Sequence, residues 1–144
     1  TCGRFRMRNG EGVLDTSTVI ALPTIDDHTC LPEFPMITTI TLAELSVGPL
    51  VADNLEVRLA RQLVLQQAEN DFDPLPFDDA AARAFGQVAA GLRRSGKKRR
   101  ARAYDALIGA VAISRGLAVY TANPADFEGI AGLDVVPVAI ATSP

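Results

Sequence analysis

Short apolar runs rich in β-branched residues alternate with helix-like segments along most of the chain, and that alternation leaves few folds open. Residues 13–14, 36–39, 117–120 and 133–138 read as strands. Residues 72–77 read as a further short strand, and Pro74 and Pro76 place it at a sheet edge. Helices are expected over 18–22, 41–46, 54–68, 80–94 and 102–115, with a short one opening at Asn123-Pro124. In the helix over 54–68, Leu55, Leu59 and Leu63, with Val57 and Val64, form the apolar side against Glu56, Arg58 and Arg61. Strands alternating with helices imply parallel βαβ units. The expected fold is therefore α/β and doubly wound, with a mainly parallel sheet of about five strands flanked by helices. In such folds ligands bind beyond the carboxyl ends of the strands.

The chain's 144 residues and 48% hydrophobic content suit one domain with a sizeable core, assigned to residues 12–144. Residues 1–11 are polar and basic and read as a loose arm without a secretory h-region. No run approaches the roughly 20 apolar residues of a membrane span. Cys2 and Cys30 lack metal-ligand spacing; a disulfide between them is the lesser reading, and two isolated cysteines fit a reducing cytoplasm. The single histidine, His28, lies in a polar loop, which argues against His-based triads and His-rich zinc sites.

Four carboxylates fall within or at the ends of apolar segments, where an unpartnered charge is costly. Asp15 closes the first strand, Glu44 follows the run 37–43, Asp105 is the only charge in 103–113, and Asp126 lies five residues beyond 117–121. Each has a plainer reading. Asp15 can cap the next helix. Thr41 and Glu44 match a capping box. Asp126 suits the positive end of a short helix. Asp105 can pair with Arg102 three residues earlier. Topology favours the alternative in which all four converge on one rim of the sheet. Gathered there they would repel one another, and a divalent cation would relieve both repulsion and burial. Oxygen ligands of this kind suit Mg²⁺ or Mn²⁺.

The net charge of −3 is unevenly spread. Residues 93–102 hold seven of the fourteen Lys and Arg, leaving seven basic against seventeen acidic residues elsewhere. Lys97, Lys98, Arg99, Arg100 and Arg102 form a local anion-binding stretch ending three residues from Asp105, where a phosphate backbone can dock. The plain alternative is a solvated loop between two helices. With two Tyr and no Trp, a platform for stacking bases is not evident.

Four segments, Leu14-Asp15-Thr16-Ser17, Thr41-Leu42-Ala43-Glu44-Leu45, residues 104–112 around Asp105, and residues 121–127 around Asp126, occur in an order and spacing that resembles the PIN-domain ribonucleases, and among them the VapC-type toxins of toxin–antitoxin pairs. The resemblance covers residues 14–127. It implies that Asp15, Glu44, Asp105 and Asp126 form a catalytic and metal-binding site, with Asp15 and Asp105 the principal ligands. It implies that Ser17, Thr121 and Asn123 support the metals and their waters. It further implies Mg²⁺- or Mn²⁺-dependent hydrolysis of RNA, leaving a 5′ phosphate and a 3′ hydroxyl, a VapB-type antitoxin as partner, and a homodimer. The helices around residues 41–68 would supply the antitoxin's groove. The departures are a longer N-terminal arm and a denser basic run.

Two rival readings stand beside it. One is a PIN-like module that grips RNA without cutting, against which the complete carboxylate set argues. The other is a phospho-acceptor receiver or an Asp-nucleophile phosphatase. The receiver needs an acidic pair at the first strand end and a late Lys; the phosphatase needs a second Asp at position 17, which is Ser.

Overall fold

The first strand, β1 (Glu11–Leu14), is the strand around which the others assemble. In the computed structural model, which describes residues 10–96 and 102–140, β1 is followed by α1 (Thr16–Ala21), β2 (Phe34–Met36), α2 (Thr39–Val47), α3 (Leu55–Asp71), α4 (Asp79–Arg94), α5 (Ala103–Arg115), β3 (Val119–Thr121) and β4 (Val135–Pro137). The four strands form one parallel sheet in the order β2-β1-β3-β4. Val13 pairs with Met36 on one side and Val119 on the other, and Leu14 pairs with Tyr120. The strand order reverses direction between β1 and β3, so the crevice expected of a doubly wound sheet opens there.

Side-chain alternation along β1 and β3 divides the core between the two faces. Val13 and Val119 pack with Val88 and Leu92 of α4 and with Ile108 and Val111 of α5. Leu14 and Tyr120 pack on the other face with Val19, Ile37, Leu45 and Ala68. Helices therefore cover both faces, as the alternating pattern requires. α5 is buried through Ala106, Ile108, Ala110, Val111 and Ala112 and ends at Gly116, whose φ of 67° is the left-handed cap that glycine accepts readily. The Tyr120 ring lies across Gly12, where an added Cβ would come within 2.7 Å of Cδ1. Only a residue without a side chain fits that crossing.

Several elements depart from the sequence expectation. The strand foreseen over 72–77 is reduced to one bridge, with Leu75 N–H donating to the Ile37 carbonyl and Thr39 N–H to the Leu75 carbonyl, each at 2.9 Å. The partner segment turns into α2 at Thr39, so the pairing stops at this bridge. β2 lies earlier than the β-branched run over 36–39 suggests, because Thr38 accepts from Thr41 N–H and starts α2 at Thr39. α3 is turned relative to expectation. It packs through Val64, Leu65 and Ala68, while Leu55, Leu59 and Leu63 lie nearly opposite, 70, 59 and 55% exposed. Cys30 is buried and is not a free thiol, which corrects the expectation of two unpaired cysteines at this position; Cys2 lies outside the described residues. Residues 1–9 of the expected arm also lie outside them, and Glu11 already belongs to β1. Among the described residues no helix is long and apolar enough to cross a membrane.

Candidate active site

Asp15 occupies the crevice between β1 and β3. It follows the last residue of β1 and is only 2% exposed. Its Oδ1 accepts from Thr18 N–H at 3.2 Å and Thr18 Oγ1 at 2.5 Å. Its Oδ2 accepts from Ser17 Oγ at 3.0 Å and from Thr121 Oγ1 at 2.8 Å. Thr121 ends β3 beside it, so the parallel register that joins Leu14 to Tyr120 also brings these two side chains together. Asp15 is thus both the cap of α1 and a carboxylate clamped by hydroxyls; the two readings are not exclusive. Thr18 Oγ1 accepts from Ala122 N–H at 3.0 Å, tying the loop after β3 to α1.

Glu44 projects from the middle of α2, so it is not the far end of a capping box; Thr38 caps that helix instead. Glu44 Oε1 accepts from Thr16 Oγ1 at 2.6 Å. The Thr16 hydroxyl has one proton, committed to Glu44, so Thr41 Oγ1, 3.0 Å away, is the donor in the Thr16–Thr41 bond. This relay fixes the carboxylate from beneath. Burial raises the Glu44 pKa, the Thr16 hydrogen bond opposes the rise, and the Asp15 charge adds to it.

Asp105 lies in the first turn of α5, and no hydrogen bond to its carboxylate is found among the described residues. Its pKa is raised to about 7, first by burial and then by the negative charges of Asp126, Asp15 and Glu44; Arg102 opposes the rise most weakly. Asp105 therefore lies within electrostatic reach of the other three carboxylates. The Arg102–Asp105 pair does not form. The Arg102 guanidinium instead donates from Nε at 2.8 Å, and also from Nη2, to the backbone carbonyl of Asp126. That fork joins the start of α5 to the turn Pro124–Phe127, which carries Asp126 at the exposed rim. Arg102 is thereby a strut in the site's wall, a role its place in a basic run did not suggest.

Of the supporting residues, Ser17 and Thr121 reach Asp15 directly. Asn123 is exposed; its backbone N–H donates to Thr121 Oγ1 at 2.9 Å, and its side chain does not cap the following turn. Lys97, Lys98, Arg99 and Arg100 lie outside the described residues. The hydroxyls of Thr16, Thr18 and Thr41 were not foreseen as supports of the carboxylates. Their signal was the run of hydroxyl residues after Asp15 and the threonine one helical turn before Glu44.

The donor set is all oxygen, carboxylates backed by hydroxyls, which fits a hard divalent cation. The excess of negative charge that raises Asp105 is what such a cation would balance. Among the described residues no three ligand-type side chains are drawn together into a ready cage.

The PIN-domain family model matches residues 13–133. Ribonuclease VapC5 of Mycobacterium tuberculosis (strain ATCC 25618 / H37Rv) is 39% identical over 131 residues, covering 88% of this chain and 95% of the relative. The tRNA(fMet)-specific endonuclease VapC of Shigella flexneri is 37% identical over 97 residues, covering 67% of this chain and 70% of the relative. The crystal structure of VapBC-5 from Mycobacterium tuberculosis, a member of the VapBC family of toxin–antitoxin systems, superposes with a TM-score of 0.78 at 37% identity, over 90% of this chain and 99% of that one.

Proposed function

The chain belongs to the PIN-domain family and, within it, to the VapC-type toxins, and from that premise we propose that it hydrolyses RNA phosphodiester bonds with a divalent metal held by Asp15, Glu44, Asp105 and Asp126. The observation that carries this reading is the pair of hydroxyl-strapped carboxylates beside the crevice between β1 and β3, Asp15 held by Ser17 and Thr121 and Glu44 by Thr16, with Asp105 within reach of their charge and that of Asp126.

Mg²⁺ or Mn²⁺ bound there supplies Lewis acidity toward the phosphate and lowers the pKa of water enough to provide a nucleophile at neutral pH. The protein's own share is positioning. Ser17, Thr18 and Thr121 lock Asp15 into one orientation. Thr41 and Thr16 lock Glu44. Arg102 fixes the backbone that carries Asp126. Asp105 takes no such strap among the described residues and can adjust to the substrate. The sole histidine, His28, is exposed in the loop before β2, so the site is built without a histidine base. Lys97, Lys98, Arg99 and Arg100 would hold the RNA backbone by charge.

The VapC-type reading includes a VapB-type antitoxin. A cleft of about 590 Å³ runs between α1, α2 and α3, with Ile20, Leu45, Val57 and Val64 in its lining and Thr16 and Glu44 at one end. An apolar antitoxin segment would lie along it and direct a cationic side chain toward Glu44. The exposed Leu55, Leu59 and Leu63 stripe, on the other side of α3, offers a face for a second copy of the chain.

The test is incubation of metal-stripped protein with a mixed RNA pool, with Mg²⁺ or Mn²⁺ restored, beside Asp105→Asn. Discrete cuts that need metal and vanish in the variant are expected. Binding without cleavage, in protein verified free of antitoxin, would refute the nuclease reading in favour of an RNA-gripping module.

A further inference from the structure

One aromatic side chain stands beside the carboxylates without a place in the core. Tyr104 directly precedes Asp105 in the first turn of α5 and is 58% exposed. With Ala43, Glu44 and Val47 it lines a separate cleft of about 230 Å³ between α5 and α2. Ala43 and Val47 are one helical turn apart and supply apolar lining, and Val47 is itself 51% exposed. Glu44 belongs to both the cleft and the acidic site. An amphipathic ring held at such a place, on a rigid helix and one residue from a candidate metal ligand, has no evident folding role.

We infer that Tyr104 is a positioning residue which stacks on one unpaired nucleobase beside the bond to be cut, with Ala43 and Val47 beneath that base. This rests on the nuclease reading for the identity of the bond, and on the cleft alone for the binding of the base. A base can enter only when freed from a duplex, so the site selects single-stranded or looped RNA. Stacking of this kind tolerates different bases, because each presents a flat π face. The cleft thus sets the register of the strand, and contacts elsewhere read its sequence.

The chain has two tyrosines and no tryptophan, and Tyr120 is only 5% exposed. Quenching of tyrosine emission by a bound base therefore reports on Tyr104. The probe is a short single-stranded RNA of mixed sequence, added with Mg²⁺ to an Asp126→Asn background whose RNA is checked for integrity on a gel. Emission should fall on binding, and the fall should disappear in Tyr104→Ala and with the same RNA annealed as a duplex. In the otherwise native protein, Tyr104→Ala should raise KM for cleavage about tenfold, with a smaller change in kcat, and Tyr104→Phe should restore KM to within about twofold. An unchanged KM in Tyr104→Ala together with unquenched emission would overturn the inference while leaving the nuclease reading intact. Quenching without any cleavage by the parent would uphold base stacking and refute the nuclease reading. A Tyr104→Phe variant as impaired as Tyr104→Ala would also overturn it, since the ring is what stacks.

Discussion

Replacing Asp105 with Asn should make the metal-free protein more stable, and the gain should grow with pH. The folded Asp105 has a pKa of about 7, against an ordinary 3.8. A carboxyl with a raised folded pKa binds its proton more tightly folded than unfolded. Its ionisation therefore costs nothing below about pH 4, an increasing amount between about pH 4 and 7, and its full penalty above that. A shift of this size corresponds to about 4 kcal/mol if taken whole. Asp105 is only half-buried, so solvent screening reduces this to about 1–2 kcal/mol. Asn carries no charge and removes the penalty at nearly the same shape. Urea unfolding in EDTA should show Asp105→Asn more stable than the parent by about 1–2 kcal/mol at about pH 8, and by less at about pH 5. Saturating Mg²⁺ should shrink or reverse the difference, because binding to the parent stabilises its folded state by mass action. Equal or lower stability of Asp105→Asn at about pH 8 in EDTA would refute the reasoning. The four carboxylates would then not share an uncompensated field.

Other expectations concern the supports of the site and the outer faces. Thr16→Val removes the donor that holds Glu44 and should lower cleavage about tenfold, with Thr16→Ser restoring most of it; equal rates in all three would mean that Glu44 needs no strap. Gly12→Ala forces a methyl into the Tyr120 ring and should cost about 1–3 kcal/mol in urea unfolding; an unchanged midpoint would show that the ring moves aside freely. Leu59→Glu should leave monomer stability within about 0.5 kcal/mol and abolish self-association in sedimentation if the leucine stripe joins two copies; a retained dimer would place that interface elsewhere.

The doubly wound architecture was legible because its cause is local: β-branched runs alternating with amphipathic or apolar helices have few other solutions. The four carboxylates were legible for a related reason, since a charge inside an apolar segment demands an explanation. Features set by competition between neighbours were harder to read. Ile37 to Thr41 has strand-like composition, yet Thr38 captures Thr41 N–H and turns most of the run into helix. Leu55, Leu59 and Leu63 form a clear apolar stripe, but periodicity cannot say which of two stripes on α3 meets the core. The hydroxyl relay through Thr41 and Thr16 joins residues 25 positions apart, so the hydroxyls themselves stand out in the sequence but their pairing does not. Arg102 pointed toward Asp105 by spacing alone; in space the carbonyl of Asp126 was the better acceptor.

The bond from Thr121 to Asp15 spans 106 positions of sequence. A ribosome emits Asp15 early and Thr121 late, and β1 cannot settle into the sheet's interior until its second neighbour arrives. Growing chains and truncated fragments that stop short of β3 therefore carry Asp15 and Glu44 without the opposite wall. For a protein whose proposed target is RNA, the cutting edge can therefore close only after β3 has been made.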